Sequence, residues 1–327
     1  MAKRVATYEG YYSLANLSAD GKRGVALTKK KYREHVVVFD TAKGRVIAEY
    51  PLTNPPYILA ISPDGNTVVF NDRETVGGIP QEPEYANFLL VWNVDKNTTK
   101  KFTIEDSYDD VAWTTNSQFA TLSFDKGNYW HVSAGETSSF TVNSRMGGGD
   151  YLIYQQHLMV FEHHINKTAL FYVDGMTVEI PKRMFLWQQS IHSPYIPTRG
   201  IAIAPNGKLC AILHNEEKSL RDDPNLFKNK VAIWDIADNQ AGQSLVGERE
   251  LSALAWSPDS TRLLVSELNS GNKTSQIVLW DAVTGQKQTD FARIDGLVDN
   301  IIWHGERVYI SIQNVFADPV LTVWDGK

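Results

Sequence analysis

The sequence has one cysteine, no long hydrophobic run and no strongly basic stretch. With Cys210 alone no intramolecular disulfide can form, and its place in the apolar run 209–213 predicts a buried thiol. No run reaches the roughly 18 apolar residues that a membrane-spanning helix needs, and the N-terminus lacks the apolar core of a signal peptide. We therefore expect no membrane partner and a cytoplasmic location.

Charge and motifs exclude further classes of function. The formal net charge of the 327 residues is −6, and no stretch is basic enough to follow a phosphate backbone, so we expect no nucleic-acid partner. The sequence has no Gly-x-Ser-x-Gly elbow and no His-Glu-x-x-His motif. No segment keeps a helical apolar spacing for three turns, whereas short strands rich in β-branched and aromatic residues are frequent. The sequence predicts an all-β protein without a cofactor.

A turn signal between two apolar strands repeats along the chain. Its clearest copies are Ser18–Gly21, Ser62–Gly65, Ala204–Gly207 and Ser257–Ser260. Proline presets φ at the first turn position, and the Asp or Asn side chain can hydrogen-bond its own backbone. Weaker equivalents near residues 116, 156 and 305 bring the total to seven. The spacing averages about 47 residues, which suits a four-stranded propeller blade.

The third strand of each unit also repeats, and three copies end in Trp-Asp, at Trp234-Asp235, Trp280-Asp281 and Trp324-Asp325. The repeated unit reads as an apolar strand, Ser-Pro-Asp-Gly, a second apolar strand and a strand that ends in Trp-Asp. This pattern resembles the WD40 repeat family over essentially the whole chain. The Gly-His pair that usually precedes the first strand is absent from every unit. The resemblance implies a divergent seven-bladed β-propeller with four antiparallel strands per blade.

The blade boundaries follow from the repeat, and the chain forms a single domain, 1–327. The predicted blades are approximately 11–52, 55–104, 107–143, 146–182, 197–247, 250–292 and 296–327 with 3–9. The sequence ends after the third strand of unit seven, and 4–8 is predicted to supply the missing fourth strand. This N-terminal strand would close the last blade and remove an open sheet edge.

The resemblance also sorts the loops. Connections between second and third strands, and links between blades, lie on one face of such a propeller, the top face. The longest here are 71–87, 186–197 and 214–229, and long loops in a compact domain are usually functional or disordered. They carry aromatic residues near arginines, a composition typical of binding hot spots. The partner-binding candidates are Tyr85, Trp187, Tyr195, Arg199, Arg221 and Phe227. The alternative interpretation is that the aromatics only pin the loops to the rim.

Acidic residues at the start of the innermost strands would converge at the mouth of the central channel. Asp110, Asp150, Asp299 and Asn300 are weak candidates for a metal site, because carboxylate and amide oxygens bind hard cations. The alternative interpretation, a ring of solvated acids, is favoured because no ligand spacing can be recognised in the sequence.

Three functions remain open, and the first is favoured. It is a non-catalytic intracellular scaffold that binds a protein or peptide on the top face, alone or as a subunit of a larger complex. The second is a lactonase-like propeller hydrolase that uses the acids of the channel mouth. The third is a small-molecule or glycan binder at the same mouth, with Trp187 and Tyr195 stacked on the ligand. Fold analogy alone does not decide among them.

Overall fold

The structure is a computed structural model of the chain. Its described residues are all except 31–32, 55, 57, 80–81, 105–109, 123–125, 142–148, 155–156, 164–168, 174–175, 180–184, 187–200, 216–229, 236–239, 270, 314–319 and 327. In some strands only the backbone is described, including every strand between 149 and 186. These residues form strands and turns, which confirms the all-β prediction, and they include no helix that could cross a bilayer.

Seven antiparallel sheets are formed by the described residues, and we number them 1 to 7 along the chain. The first strand, β1 (Arg4–Glu9), belongs to sheet 7. Sheet 1 contains β2 (Tyr11–Leu17), β3 (Arg23–Lys30), β4 (Arg33–Asp40) and β5 (Val46–Pro51). Sheet 2 contains β6 (Leu59–Ile61), β7 (Thr67–Ile79), β8 (Glu82–Asn93) and β9 (Thr98–Ile104). Sheet 3 contains β10 (Asp110–Trp113), β11 (Gln118–Leu122), β12 (Lys126–His131) and β13 (Gly135–Thr141).

In the remaining sheets each strand pairs with the next along the chain, except that in sheet 5 two short strands share one neighbour. Sheet 4 contains β14 (Gly149–Tyr154), β15 (His157–His163), β16 (Ala169–Val173) and β17 (Met176–Glu179). Sheet 5 contains β18 (Phe185–Leu186), β19 (Ile201–Ile203), β20 (Leu209–Asn215), β21 (Lys230–Asp235) and β22 (Gln240–Val246). Sheet 6 contains β23 (Glu250–Trp256), β24 (Arg262–Asn269), β25 (Thr274–Asp281) and β26 (Lys287–Ile294). Sheet 7 contains β27 (Leu297–His304), β28 (Arg307–Gln313), β29 (Val320–Asp325) and β1.

The N-terminal strand completes sheet 7 as the sequence predicts. β1 pairs antiparallel with β29 in a register that runs from Arg4 opposite Trp324 to Glu9 opposite Val320. The backbone N–H of Asp325 also donates to the Lys3 carbonyl at 2.9 Å. Without β1, the N–H and C=O groups along the outer edge of β29 would be open to another chain.

Sheet 5 differs from the predicted four strands. β18 and β19 both pair with the same edge of β20, β19 opposite residues 210–212 and β18 opposite His214 and Asn215. The physical reason is length, because β19 covers only three of the seven residues of β20 and leaves part of its edge for β18. Cys210 in β20 is fully buried, and burial raises the pKa of its thiol, as expected for a core cysteine.

The core lies between neighbouring sheets rather than inside any one of them. Buried clusters join sheets 1 and 2, 2 and 3, 5 and 6, 6 and 7, and 7 and 1. First strands contact one another between sheets 1 and 2, 2 and 3, 3 and 4, 5 and 6, and 6 and 7, and β2 contacts β27, so the last sheet packs against the first. The largest fully buried side chains, such as Trp92, Phe39 and Phe70, each contribute about 1.5–3 kcal/mol through removal from water.

The predicted turns have the predicted hydrogen bonds. At the β6–β7 turn the Ser62 hydroxyl donates to Asp64 Oδ1 at 2.6 Å, and Asp64 Oδ1 accepts the Asn66 N–H at 3.0 Å. The N–H of Thr67 closes the turn on Ser62 Oγ at 2.9 Å. The same pattern recurs at the turns of sheets 1 and 6. Gly65 has a φ of 74°, a left-handed conformation that favours glycine at this position.

Two tryptophan side chains donate hydrogen bonds to buried threonine hydroxyls. Trp130 Nε1 donates to Thr121 Oγ1 at 2.8 Å in sheet 3, and Trp324 Nε1 donates to Thr322 Oγ1 at 2.9 Å in sheet 7. Both pairs are buried, so each hydroxyl satisfies an indole N–H that would otherwise be desolvated without a partner.

Candidate interaction surface on the ribbon of sheet 2

The hairpin of sheet 2 extends beyond its neighbouring strands. β7 and β8 stay paired as far as Ile79 opposite Glu82. The inner strand β6 pairs only with 68–70 of β7, and the outer strand β9 reaches no further than Asn87 of β8. Residues 74–79 and 82–86 therefore form a two-stranded extension, which we call the ribbon. At about 3.3 Å per residue it projects roughly 17 Å beyond the rest of the sheet.

The prediction of a loop over 71–87 is wrong, because most of this segment is paired strand. The described side chains of the ribbon are exposed or half-buried, and the apolar–polar alternation that reveals a half-buried strand is missing from this part of the sequence. A β-bulge lies between Thr75 and Gly77, and Gly78 has a φ of 84° close to the end of the ribbon. Glycine tolerates this left-handed conformation, and the bulge bends the strand locally.

The base of the ribbon is fastened to the link between β5 and β6. The Asn54 side-chain amide donates to the Arg73 carbonyl at 3.0 Å, and Asn71 Oδ1 accepts the Ile58 N–H at 2.9 Å. Asp72 accepts the Arg73 N–H at 2.8 Å. Burial raises the pKa of the Asp72 carboxyl, although backbone N–H groups that bind it act in the opposite direction. These bonds fix the direction in which the ribbon leaves the sheet.

The ribbon presents an aromatic ring and an aliphatic side chain to solvent. Tyr85 is 44% exposed, and the Arg73 guanidinium carbon lies 4.7 Å from the centre of its ring. Val76, at the bulge, is 63% exposed. At the base of the ribbon, Lys101 of the adjacent strand β9 places its Nζ 3.4 Å from the centre of the Phe88 ring and 2.6 Å from Glu74 Oε1. A tyrosine stacked on an arginine is a combination that interface hot spots favour.

The other predicted partner-binding residues lie outside the described residues. They are Trp187, Tyr195, Arg199, Arg221 and Phe227. Of the six candidates, only Tyr85 has a described environment, and the role of the remaining five stays a prediction. Arg73 and Val76 were not singled out from the sequence, because their position beside Tyr85 depends on the strand register of the ribbon.

The four channel-mouth candidates fall on first strands. The backbone of Asp110 begins β10 and that of Asp150 is in β14, while their side chains are not described. Asp299 and Asn300 are half-buried in β27, at a bulge opposite Ile312 and Ser311. Burial raises the pKa of Asp299 to about 7. Within the described part of the chain, no three His, Cys, Asp or Glu side chains are grouped as metal ligands.

Comparison with known proteins supports the fold and is silent on function. No family model and no curated protein matches the sequence. Similar solved structures include hydrazine synthase from Kuenenia stuttgartiensis, with a TM-score of 0.65 and 13% identity over 99% of this chain and 97% of that chain. A chain of the mitotic checkpoint complex gives 0.64 and 12% over 99% and 92%. The Cps50 (Swd1) β-propeller domain from Myceliophteria thermophila gives 0.62 and 10% over 99% of each chain.

These likenesses define the class of the fold. The chain is an all-β protein of four-stranded antiparallel sheets with the fold of a β-propeller, similar to propeller domains found in protein complexes. At 10–13% identity the likeness extends to the fold alone. A synthase and a checkpoint complex both contain this fold, so it does not by itself select a function.

Proposed function

We propose that this protein is a non-catalytic scaffold, a closed seven-bladed propeller that binds a protein or peptide on the face where the ribbon projects. Seven sheets among the described residues and the pairing of β1 with β29 support the closed ring. A scaffold of this kind acts in the cytoplasm, as one subunit of a larger complex, and needs no cofactor.

The observation that carries the proposal is the ribbon. A two-stranded extension is only marginally stable by itself, and among the described residues the ribbon pairs with no third strand. Val76 is exposed and gains no stabilisation from burial, which is typical of a surface that a partner covers. A partner that covers Tyr85 and Val76 would remove both side chains from water. The Arg73 guanidinium, already stacked on the ring, would supply a hydrogen-bond donor at the edge of the contact.

Affinity capture tests this proposal. The tagged wild-type protein and the variants Tyr85→Ala and Tyr129→Ala are each incubated with lysate of the native host, and co-purifying proteins are quantified by mass spectrometry. Tyr129 is a matched control because it is also a tyrosine, is similarly exposed at 37%, and lies in β12 of sheet 3 and not in the ribbon. We expect a specific set of proteins to be lost with Tyr85→Ala and retained with Tyr129→Ala. An identical set with all three proteins would contradict the proposal.

A second candidate function is supported by Asp299. This half-buried residue, with a pKa raised to about 7, lies beside Asn300 on a first strand, where a hydrolase or a ligand-binding propeller would place an acid. Added Ca²⁺ or Mn²⁺ would then raise the melting temperature of the wild-type protein, and Asp299→Asn would abolish the shift. The absence of any shift in the wild-type protein would remove the metal-dependent form of this candidate.

A further inference from the structure

A polar cleft lies at the end of sheet 6 from which β24 connects to β25. Its volume is about 210 Å³, and every side chain that lines it is polar. Two arginines face it, Arg249 from the link between β22 and β23 and Arg293 from β26. The connection between β24 and β25 contributes Asn269 and Asn272. No carboxylate is among the described lining residues.

The strand register explains why two arginines 44 positions apart share one cleft. Arg293 is the cross-strand neighbour of Gln276, and Gln276 is the neighbour of Glu267 on the other side. Gln276 donates from Nε2 to the Ala292 carbonyl at 3.0 Å, which fixes this side chain against β26. Arg249 reaches the same place from the link that leads into β23. Three separate segments therefore converge on one small volume.

The hydrogen bonds at the cleft leave donors available. The Thr274 hydroxyl donates to Asn272 Oδ1 at 3.1 Å, so the Asn272 amide oxygen is occupied and its Nδ2 group can donate to a ligand. Arg249 and Arg293 are both exposed, and within the described part of the chain neither forms an ion pair. Guanidinium groups bind planar or tetrahedral oxyanions through paired N–H donors.

The acid Glu267 is the cross-strand neighbour of the lining residue Gln276 but does not itself line the cleft. Glu267 is buried, and its Oε1 has no hydrogen-bond partner among the described groups. Burial raises the pKa of the Glu267 carboxyl, although the nearby charges of Lys287 and Arg249 act in the opposite direction. The described lining residues themselves therefore carry two guanidinium groups and no carboxylate.

The size of the cleft limits what it can hold. Pockets for drug-sized molecules or nucleotides measure about 300–1,000 Å³, and this cleft is smaller. One oxyanion group with its first bonded atoms fits such a volume, whereas a larger ligand would have to extend into solvent. The two arginines, the amide donor of Asn272 and the small volume of the cleft therefore all favour a single oxyanion group as the ligand.

We propose that the cleft between Arg249 and Arg293 is a binding site for one oxyanion group, a phosphate or a carboxylate. The group is either a free anion or the acidic side chain of a bound peptide. The site is separate from the ribbon of sheet 2, and its existence does not depend on the proposed scaffold function.

Isothermal titration calorimetry at constant ionic strength tests the site with sodium phosphate as the probe. For the wild-type protein we expect a saturable signal with a Kd on the order of 1 mM. Arg249→Gln or Arg293→Gln should weaken phosphate binding at least about tenfold, and the double variant should abolish it. Arg45→Gln is the matched control, because Arg45 is also exposed and lies in the turn between β4 and β5. It should leave binding unchanged.

The same titrations with N-acetyl-phosphoserine amide and N-acetyl-aspartate amide distinguish the two sources of the group. Tighter binding of either blocked amino acid than of inorganic phosphate assigns the cleft to a peptide side chain, and the reverse order assigns it to a free anion. Melting temperatures of the variants establish that they are folded. Absence of saturable binding to the wild-type protein, or equal binding by the folded double variant, would overturn the proposal.

Discussion

Sheets 2 and 6 share one strand order, but their second and third strands end differently. In sheet 6, β24 and β25 are eight residues each, and their neighbours pair with them as far as Leu268 and Ser275, so the hairpin ends nearly level with the sheet. In sheet 2, β7 and β8 are 13 and 12 residues long and continue past their neighbours. The same position in the repeat thus carries a polar cleft in one sheet and an exposed ribbon in the other.

The second strands of the two sheets carry an acid at equivalent positions, Asp72 in β7 and Glu267 in β24, and the hydrogen bonds of these two acids differ. Burial raises the pKa of both Asp72 and Glu267. Asp72 accepts backbone N–H bonds that tie the ribbon to the preceding link. The Glu267 carboxyl also accepts a backbone hydrogen bond, from Glu248, but its Oε1 has no partner among the described residues. The shared frame fixes where the acid lies, and the local connections decide whether its hydrogen bonds are satisfied.

The largest expected effect comes from giving sheet 2 the short connection of sheet 6. Replacing 74–86 with Ser-Gly-Asn-Lys, the sequence of 270–273, removes the ribbon and joins two residues that are already paired, Arg73 and Asn87. We expect partner affinity to fall by at least about a hundredfold, because a central hot spot is lost. The free energy of unfolding should change by less than about 1 kcal/mol, because the described side chains removed are mostly exposed. Titration with the captured partner and urea denaturation measure the two quantities.

The opposite ends of the two hairpins should respond alike. Ser62 and Ser257 are fully buried, and each bridges a turn aspartate and a backbone N–H. Changing either serine to alanine leaves that buried N–H without its acceptor and should cost about 1–3 kcal/mol. Urea denaturation gives both values, and a difference between them well above 1 kcal/mol would show that the turns are not equivalent.

The buried acid of sheet 6 predicts a pH-dependent gain. Because the pKa of Glu267 is higher in the folded than in the unfolded protein, its stability contribution is fully present below the unfolded pKa and is lost as pH rises through the folded pKa. Glu267→Gln removes this loss, so it should stabilise the protein by about 1 kcal/mol at about pH 8 and by much less at about pH 4. Denaturation curves at both pH values test this, and a gain that does not vary with pH would contradict it.

The smallest effect is expected at the ion pair beside the ribbon. The Lys101–Glu74 pair is largely exposed, with 40% and 54% of the two side chains accessible. Lys101→Ala should therefore cost only about 0.5 kcal/mol, even with the loss of its contact to the Phe88 ring. Lys287→Ala in sheet 6 is the control, since the Lys287–Asp290 pair is similarly exposed. A cost above about 1.5 kcal/mol at Lys101 alone would indicate that this contact organises the ribbon.

The sequence predicted the repeated parts of the molecule and missed the parts that break the repeat. The turn at Ser62–Gly65 could be predicted because it depends on local turn chemistry. The pairing of 4–8 with β29 could be predicted because the seventh repeat contains only three of its four strands. The ribbon could not, because its residues show no apolar–polar alternation from which a half-buried strand could be recognised. The cleft could not either, because Arg249 and Arg293 meet only through strand register.

Hydrogen–deuterium exchange with and without the captured partner tests the central claim most directly, since it reads the backbone amides of the ribbon themselves. Amides of 74–79 and 82–86 have no third strand to protect them, and we expect their exchange to slow when the partner binds. The amides of β24 and β25 near their connection serve as the internal comparison. Slowed exchange elsewhere, with the ribbon unchanged at a saturating partner concentration, would contradict the account.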